Sequence, residues 1–133
     1  MIFVDTNVLV DVVTNHPVWS GWSLQQLEAA ALRDRLMVNP VVYAELSIGF
    51  EQPEEVDAVL VRAEIAIAEI PRVALFLAGK VFRNYRRQGG TRTGVLPDFF
   101  IGAHSAVLRA PLITRDVGRY RTYFPTVELI APD

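Results

Sequence analysis

The chain has no cysteine, which excludes a disulfide framework, a cysteine-based zinc site and a thiol nucleophile at once. It has 2 histidines, too few for a His-rich metal centre. No apolar run reaches the roughly 18 residues that a membrane-crossing helix needs. The opening Met1-Ile2-Phe3-Val4-Asp5 carries no positive side chain before an acid arrives, which is not the pattern of a secretory leader. The expectation is a cytoplasmic protein with no membrane partner. Lysine is almost missing: Lys80 is the single one, and every other basic residue is an arginine. Arginine's planar fork suits phosphate and carboxylate partners.

What is present is a globular composition. The 133 residues are 51% hydrophobic and 21% charged, which excludes a disordered chain. They suffice for one domain, residues 1–133, around one sizeable core. The net charge of -2 hides an asymmetry. Up to Pro71, three arginines face eleven acids, a balance of −8; from Arg72 onward, ten bases face four acids, a balance of +6. A basic C-terminal half offers a surface to an anionic partner, although two ordinary faces of unlike charge would give the same count.

Short apolar runs alternate with helical patterns along the chain. Ile2-Phe3-Val4 reads as a buried strand, followed by an Asp5-Thr6-Asn7 cap and a helix over 8–13. A helix starting at Ser20 or Ser23 runs to Arg35, with Leu24, Leu27, Ala31 and Leu32 at helical spacing. Leu36-Met37-Val38 is a second strand, and Asn39-Pro40 an N-cap and helix-compatible proline opening a helix to about Phe50. Gln52-Pro53-Glu54-Glu55 opens another, expected to reach about Ala68, with acids in its first turn where the helix dipole favours them. A helix from Val73 to Arg87 is apolar around much of its circumference, so it is either central or covered by another subunit. Gly89 to Gly94 reads as a flexible loop. A helix from Pro97-Asp98 to about Arg109, a strand over 112–114, a short helix over 116–123 and a last strand over 127–130 complete the pattern. The fold class is α/β with a parallel sheet.

In such sheets, ligands bind beyond the carboxyl ends of the strands. Asp5 follows the first strand, Glu45 lies in the helix after the second, Asp98 follows the glycine loop, and Asp116 follows the strand Leu112-Ile113-Thr114. Carboxylates gathered together repel one another unless a cation is bound. Oxygen-only ligands, with Asp5, Asp98 and Asp116 as the metal set, point to Mg²⁺ or Mn²⁺ rather than zinc, and that arrangement suits phosphate chemistry. Arginines flank the two C-terminal acids and could hold a nucleic-acid backbone: Arg83, Arg86, Arg87 and Arg92 before Asp98, and Arg115, Arg119 and Arg121 around Asp116; Arg86, Arg87, Arg92 and Arg115 are the leading candidates. Each acid also has a plain account. Asp5 and Asp116 could be helix caps, Asp98 a first-turn acid and Glu45 a surface glutamate. Asp11 and Asp34 read as surface acids, His16 as an exposed turn residue, and His104 as a core or surface histidine off the face of Asp98. The tryptophans and tyrosines, Tyr120 among them, read as packing residues.

The constellation resembles the PIN-domain family, specifically its VapC-type toxins. The matching pieces are Ile2-Phe3-Val4-Asp5-Thr6-Asn7-Val8-Leu9, Val42-Tyr43-Ala44-Glu45-Leu46, Leu96-Pro97-Asp98-Phe99-Phe100-Ile101-Gly102-Ala103-His104 and Leu112-Ile113-Thr114-Arg115-Asp116. The resemblance implies a metal-dependent endoribonuclease that serves as the toxin of a toxin–antitoxin pair. It also implies a three-layer α/β/α sandwich with a four- or five-stranded parallel sheet, a homodimer, RNA as substrate and a VapB-type antitoxin as inhibitor. The family's acids map onto Asp5, Glu45, Asp98 and Asp116, and its polar companions onto Thr6, Asn7 and Thr114. Two other phosphoryl-transfer classes are excluded by residue type. A haloacid-dehalogenase phosphatase needs a second aspartate where Asn7 stands, and a receiver domain needs a lysine near its last strand, whereas Lys80 lies mid-helix. The competing class is a non-catalytic module that binds RNA or a partner; a negative pocket would not help it.

Overall fold

The structure, a computed structural model, describes residues 1–133. In chain order the elements are β1 (Ile2–Val4), α1 (Thr6–Val13), α2 (Ser20–Arg33), β2 (Leu36–Val38), α3 (Pro40–Ser47), α4 (Pro53–Arg62), β3 (Ile65–Ile67), α5 (Arg72–Arg87), α6 (Leu96–Leu108), β4 (Leu112–Ile113), α7 (Val117–Tyr123) and β5 (Leu129–Ile130). The strands form one parallel sheet in the order β3-β2-β1-β4-β5. Its register pairs Phe3 with both Met37 and Leu112.

That order follows from the sequence by way of burial. β1 and β2 are wholly buried, as strands covered on both faces must be. The helices that cover them pack as α1 on α2 and α3, α3 on α4, and α5 on α6, making an α/β/α sandwich. The chain leaves β1 toward β2 and β3 on one side and returns to β4 and β5 on the other. Right-handed crossovers in opposite directions place the group α1 to α4 on one face and the pair α5 and α6 on the other, and open a crevice between the ends of β1 and β4. The last helix is drawn in closely. A Cβ added to Gly102 of α6 would stand 2.4 Å from the Phe124 ring, so only glycine lets that ring lie against the helix.

Several expected boundaries move, each for a physical reason. α1 begins at Thr6 because Asp5 is the N-cap and accepts from the Thr6 amide at 2.8 Å. The Asn39 cap is as expected, accepting from Val42 N at 3.0 Å. α4 does not reach Ala68. It stops at Arg62, Glu64 takes a left-handed φ of 56°, and Ile65–Ile67 becomes the edge strand β3. A helical pattern carried through that turn hides a strand that pairs only with distant β2. β4 ends at Ile113, which leaves Thr114 to turn its hydroxyl inward. The glycine loop is tied down: Gly90 lies under the Tyr85 ring, and the Arg92 amide donates to the Tyr85 hydroxyl at 3.0 Å.

Candidate active site

Asp5 closes β1 at the crevice. It is 4% exposed, and its carboxylate gathers donors from across the chain. Thr6 N donates to Oδ1 at 2.8 Å. The Thr114 hydroxyl (2.8 Å), the Tyr120 hydroxyl (3.1 Å) and the Asn7 amide (3.3 Å) donate to Oδ2. The site is therefore built from the ends of β1 and β4 with α7 folded over them. Burial pushes the Asp5 carboxyl up to about 6, and the nearby Asp98 charge adds to that; the bonds from Thr114, Tyr120 and Thr6 oppose it.

Asp98, in the first turn of α6, is half-buried and takes a hydrogen-bonded ion pair from Arg119 Nη1. Its carboxyl too is held above the usual range by burial. Arg119 pulls the other way, and Glu45 and Asp116 add repulsion. Glu45 accepts from the Thr6 hydroxyl at 2.7 Å, which brings α3 to the mouth of the crevice. Asp116 stands exposed before α7. It does not cap that helix with its side chain, and its amide is held by the Thr114 hydroxyl at 3.0 Å. All four acids thus border one crevice, although Asp5 does also cap its helix.

Their donor set is all oxygen, which fits a hard divalent cation. No three of the carboxylates stand close enough to share one ion as the side chains lie. The Arg119 guanidinium is the cation that Asp98 holds in this structure.

Two residues read differently once folded. Asp11, expected at the surface, is 1% exposed. It takes both nitrogens of the Arg115 fork, Nε at 2.5 Å and Nη2 at 2.8 Å, and the Ser23 hydroxyl at 2.8 Å. Arg115, expected to face RNA, is therefore committed inward, with its guanidinium 5.2 Å from the Trp19 ring centre and its amide donating to Asn7 at 3.3 Å. The pair ties α1 and α2 to the turn that carries Asp116. His16 is half-buried, not exposed; its Nδ1 accepts from Val18 and Trp19 at 3.1 Å each. His104 is fully buried against the Phe3 ring, and burial lowers its pKa. Arg86, Arg87 and Arg92 are exposed.

Sequence reasoning took Tyr120 for a packing residue, and Arg119 for one of the arginines around Asp116 that could meet a nucleic-acid backbone rather than for a partner of Asp98. Tyr120 is 1% exposed, and its hydroxyl is held well above its ordinary pKa by burial and by the charges of Asp5, Asp98 and Asp116, so it remains a donor to Asp5. The one signal for Arg119 was its place in the sequence, three residues after Asp116.

The sequence profile of the PIN domain matches residues 2–125. No curated protein matches the sequence. Solved structures match over the whole length. VapBC2 of Rickettsia felis, bound to a DNA fragment from its promoter, has a TM-score of 0.76 at 22% identity, covering 100% of both chains. VapBC-1 of nontypeable Haemophilus influenzae gives 0.70 at 22% identity, covering 98% of each. A toxin–antitoxin complex from Klebsiella pneumoniae gives 0.69 at 20% identity, covering 96% of this chain and 95% of that one. At these identities the likeness is one of fold.

Proposed function

The chain belongs to the PIN-domain family, and from that premise we propose that it is a metal-dependent endoribonuclease acting as the toxin of a toxin–antitoxin pair. The observation that carries the reading is Asp5, buried at the switch point of the sheet under four donors, with Asp98, Glu45 and Asp116 around the same crevice. When bound, Mg²⁺ or Mn²⁺ supplies a polarised phosphoryl oxygen and an activated water. Asp5 and Asp98 would hold it, with Asp116 at the rim. Thr6 orients Glu45, which would take a proton from the attacking water. Thr114, Asn7 and Tyr120 fix the Asp5 carboxylate in one orientation and leave its rotamer no freedom. A binding module would gain nothing from crowding negative charge where an RNA phosphate must enter. The direct test incubates the purified protein with RNA in Mn²⁺ and sequences the ends formed. Cleavage at defined positions that disappears with chelator supports the reading; intact RNA at every metal concentration removes it.

Arg86 and Arg87, at the end of α5, and Arg92, in the loop before Asp98, are exposed and would supply a basic approach for the RNA backbone. We expect Arg86→Ala/Arg87→Ala to weaken RNA binding more than it slows cleavage. The slope of log affinity against log salt should flatten by roughly 0.7 per lost phosphate contact for a single strand. Filter binding across a salt series in Ca²⁺ checks it; a slope equal to the wild type's would leave these arginines as a solvated helix end.

The toxin reading adds two protein partners. Val73 is 58% exposed and Phe76 66%. They lie on one stripe of α5 with Lys80, whose ammonium is 5.0 Å from the Phe76 ring centre. α5 is thus apolar on both its buried side, at Ala74 and Ala78, and its exposed side, at Val73, Leu75 and Phe76. The exposed stripe suits a two-fold partner. Light scattering at micromolar concentration should report a dimer, and Phe76→Glu should convert it to a monomer; a monomeric wild type would count against the assembly. On the other side, α1, α2 and α4 border an apolar groove of about 550 Å³ lined by Leu9, Val12, Val13, Leu24 and Leu27, which offers a VapB-type antitoxin segment a seat.

A further inference from the structure

The ion pair at the mouth of the crevice involves an arginine to which neither fold nor metal chemistry assigns a task. Arg119 Nη1 donates to Asp98 Oδ2, and the two side chains are 24% and 23% exposed. The pair is therefore neither a solvated surface contact nor a sealed structural one. Arg119 is the third residue of α7. Its neighbour Tyr120 donates to Asp5, so one short helix delivers adjacent side chains to the two central carboxylates. Asp116 lies three residues earlier, just before α7, and its charge acts on Asp98. Arg119 thus stands among Asp98, Asp116 and, through Tyr120, Asp5, at the opening where a phosphate would arrive.

We propose that Arg119 is a catalytic residue with two alternating partners: Asp98 while the crevice lacks a divalent cation, and the scissile phosphate once that cation is in place. This inference rests on the nuclease reading above. A divalent cation on the Asp98 carboxylate competes with the guanidinium for the same negative charge and repels it, so metal entry weakens the ion pair and frees the fork. Arg119 remains anchored by its backbone in α7 and partly exposed, so the freed fork still faces the crevice mouth. A planar guanidinium pairs readily with phosphate oxygens, and charge builds on those oxygens as the phosphodiester is attacked. Two consequences follow, with opposite signs. Arg119 lowers metal affinity, because its charge and its bond to Asp98 oppose the incoming cation; and it raises the cleavage rate once metal is bound.

The experiment measures Mn²⁺ binding by electron paramagnetic resonance of the free ion, and cleavage of a short RNA under saturating Mn²⁺, in the wild type, Arg119→Gln, Arg119→Lys and Asp98→Asn. We expect Arg119→Gln to bind Mn²⁺ about tenfold more tightly, since a charge-assisted bond no longer competes, and yet to cleave at least about tenfold more slowly. Arg119→Lys should fall between, having charge without the fork. Asp98→Asn should bind Mn²⁺ poorly. A merely structural arginine would lower both quantities or neither. Equal or weaker Mn²⁺ affinity in Arg119→Gln overturns the competition. Tighter binding with undiminished cleavage overturns the phosphate contact. A wild type that binds no Mn²⁺ fails the nuclease reading itself, and this inference with it. A wild type that binds and cleaves while the variants behave alike overturns this inference only.

Discussion

Replacing Asp5 or Asp98 by asparagine is expected to lower RNA cleavage by about 10³-fold or more, the scale of losing one member of an interdependent set of catalytic groups. Neither change should unfold the protein. Asp5→Asn should stabilise it in the absence of metal. The folded carboxyl titrates near 6 and the unfolded one at 3.8, so the folded state holds this proton more tightly. The associated stabilisation is complete below pH 3.8 and is lost as pH rises through 6. At pH 7 the ionised Asp5 is a burden of about 2 to 3 kcal/mol that asparagine removes. The variant's melting temperature should therefore exceed the wild type's at pH 7 and meet it near pH 4. His104 works the other way: its folded pKa lies below 6.5, so its contribution is complete above pH 6.5 and lost on acidification. It is common to both proteins and cancels in the comparison. Added Mn²⁺ should stabilise the wild type alone. Wild-type cleavage by both asparagine variants would sink the assignment of these acids.

Breaking the buried pair under α1 is the second large effect. Arg115→Met leaves the Asp11 carboxylate 1% exposed with only the Ser23 hydroxyl beside it. Removing one partner of such a pair costs about 3 kcal/mol or more, a fall in Tm of about 10 °C for a domain of this size. The double variant Asp11→Asn/Arg115→Met should recover most of that loss, because no uncompensated charge remains. A thermal-melt cycle over the four proteins should show a coupling above about 1 kcal/mol. Additive losses would mean that Arg115 acts alone. The single variant should also lose cleavage beyond its loss of folded protein, since the Arg115 amide and the next residue, Asp116, belong to the turn that the pair anchors.

Residue type and local order were enough to establish much of this protein. The apolar triplets β1 and β2, the Asn39 cap and the alternation of strands with helices dictate a parallel sheet, because each is a matter of near neighbours and burial on both faces. Acids placed just after strand ends announce a site, because a parallel sheet exposes its carboxyl edge. What the sequence could not determine are the partners that those residues meet across the fold. β3 depends on a left-handed turn at Glu64 and on pairing with β2, both invisible in a helical pattern. Asp11 looks like any surface acid until Arg115, 104 residues away, closes on it. Tyr120 looks like packing until its hydroxyl reaches Asp5 over 115 residues. Arg119 lies 21 residues from Asp98 and finds it only because α7 folds over the start of α6. Periodicity and capping act within a turn or two of the chain, whereas the charge, burial and orientation of these side chains are decided by what tertiary packing sets against them.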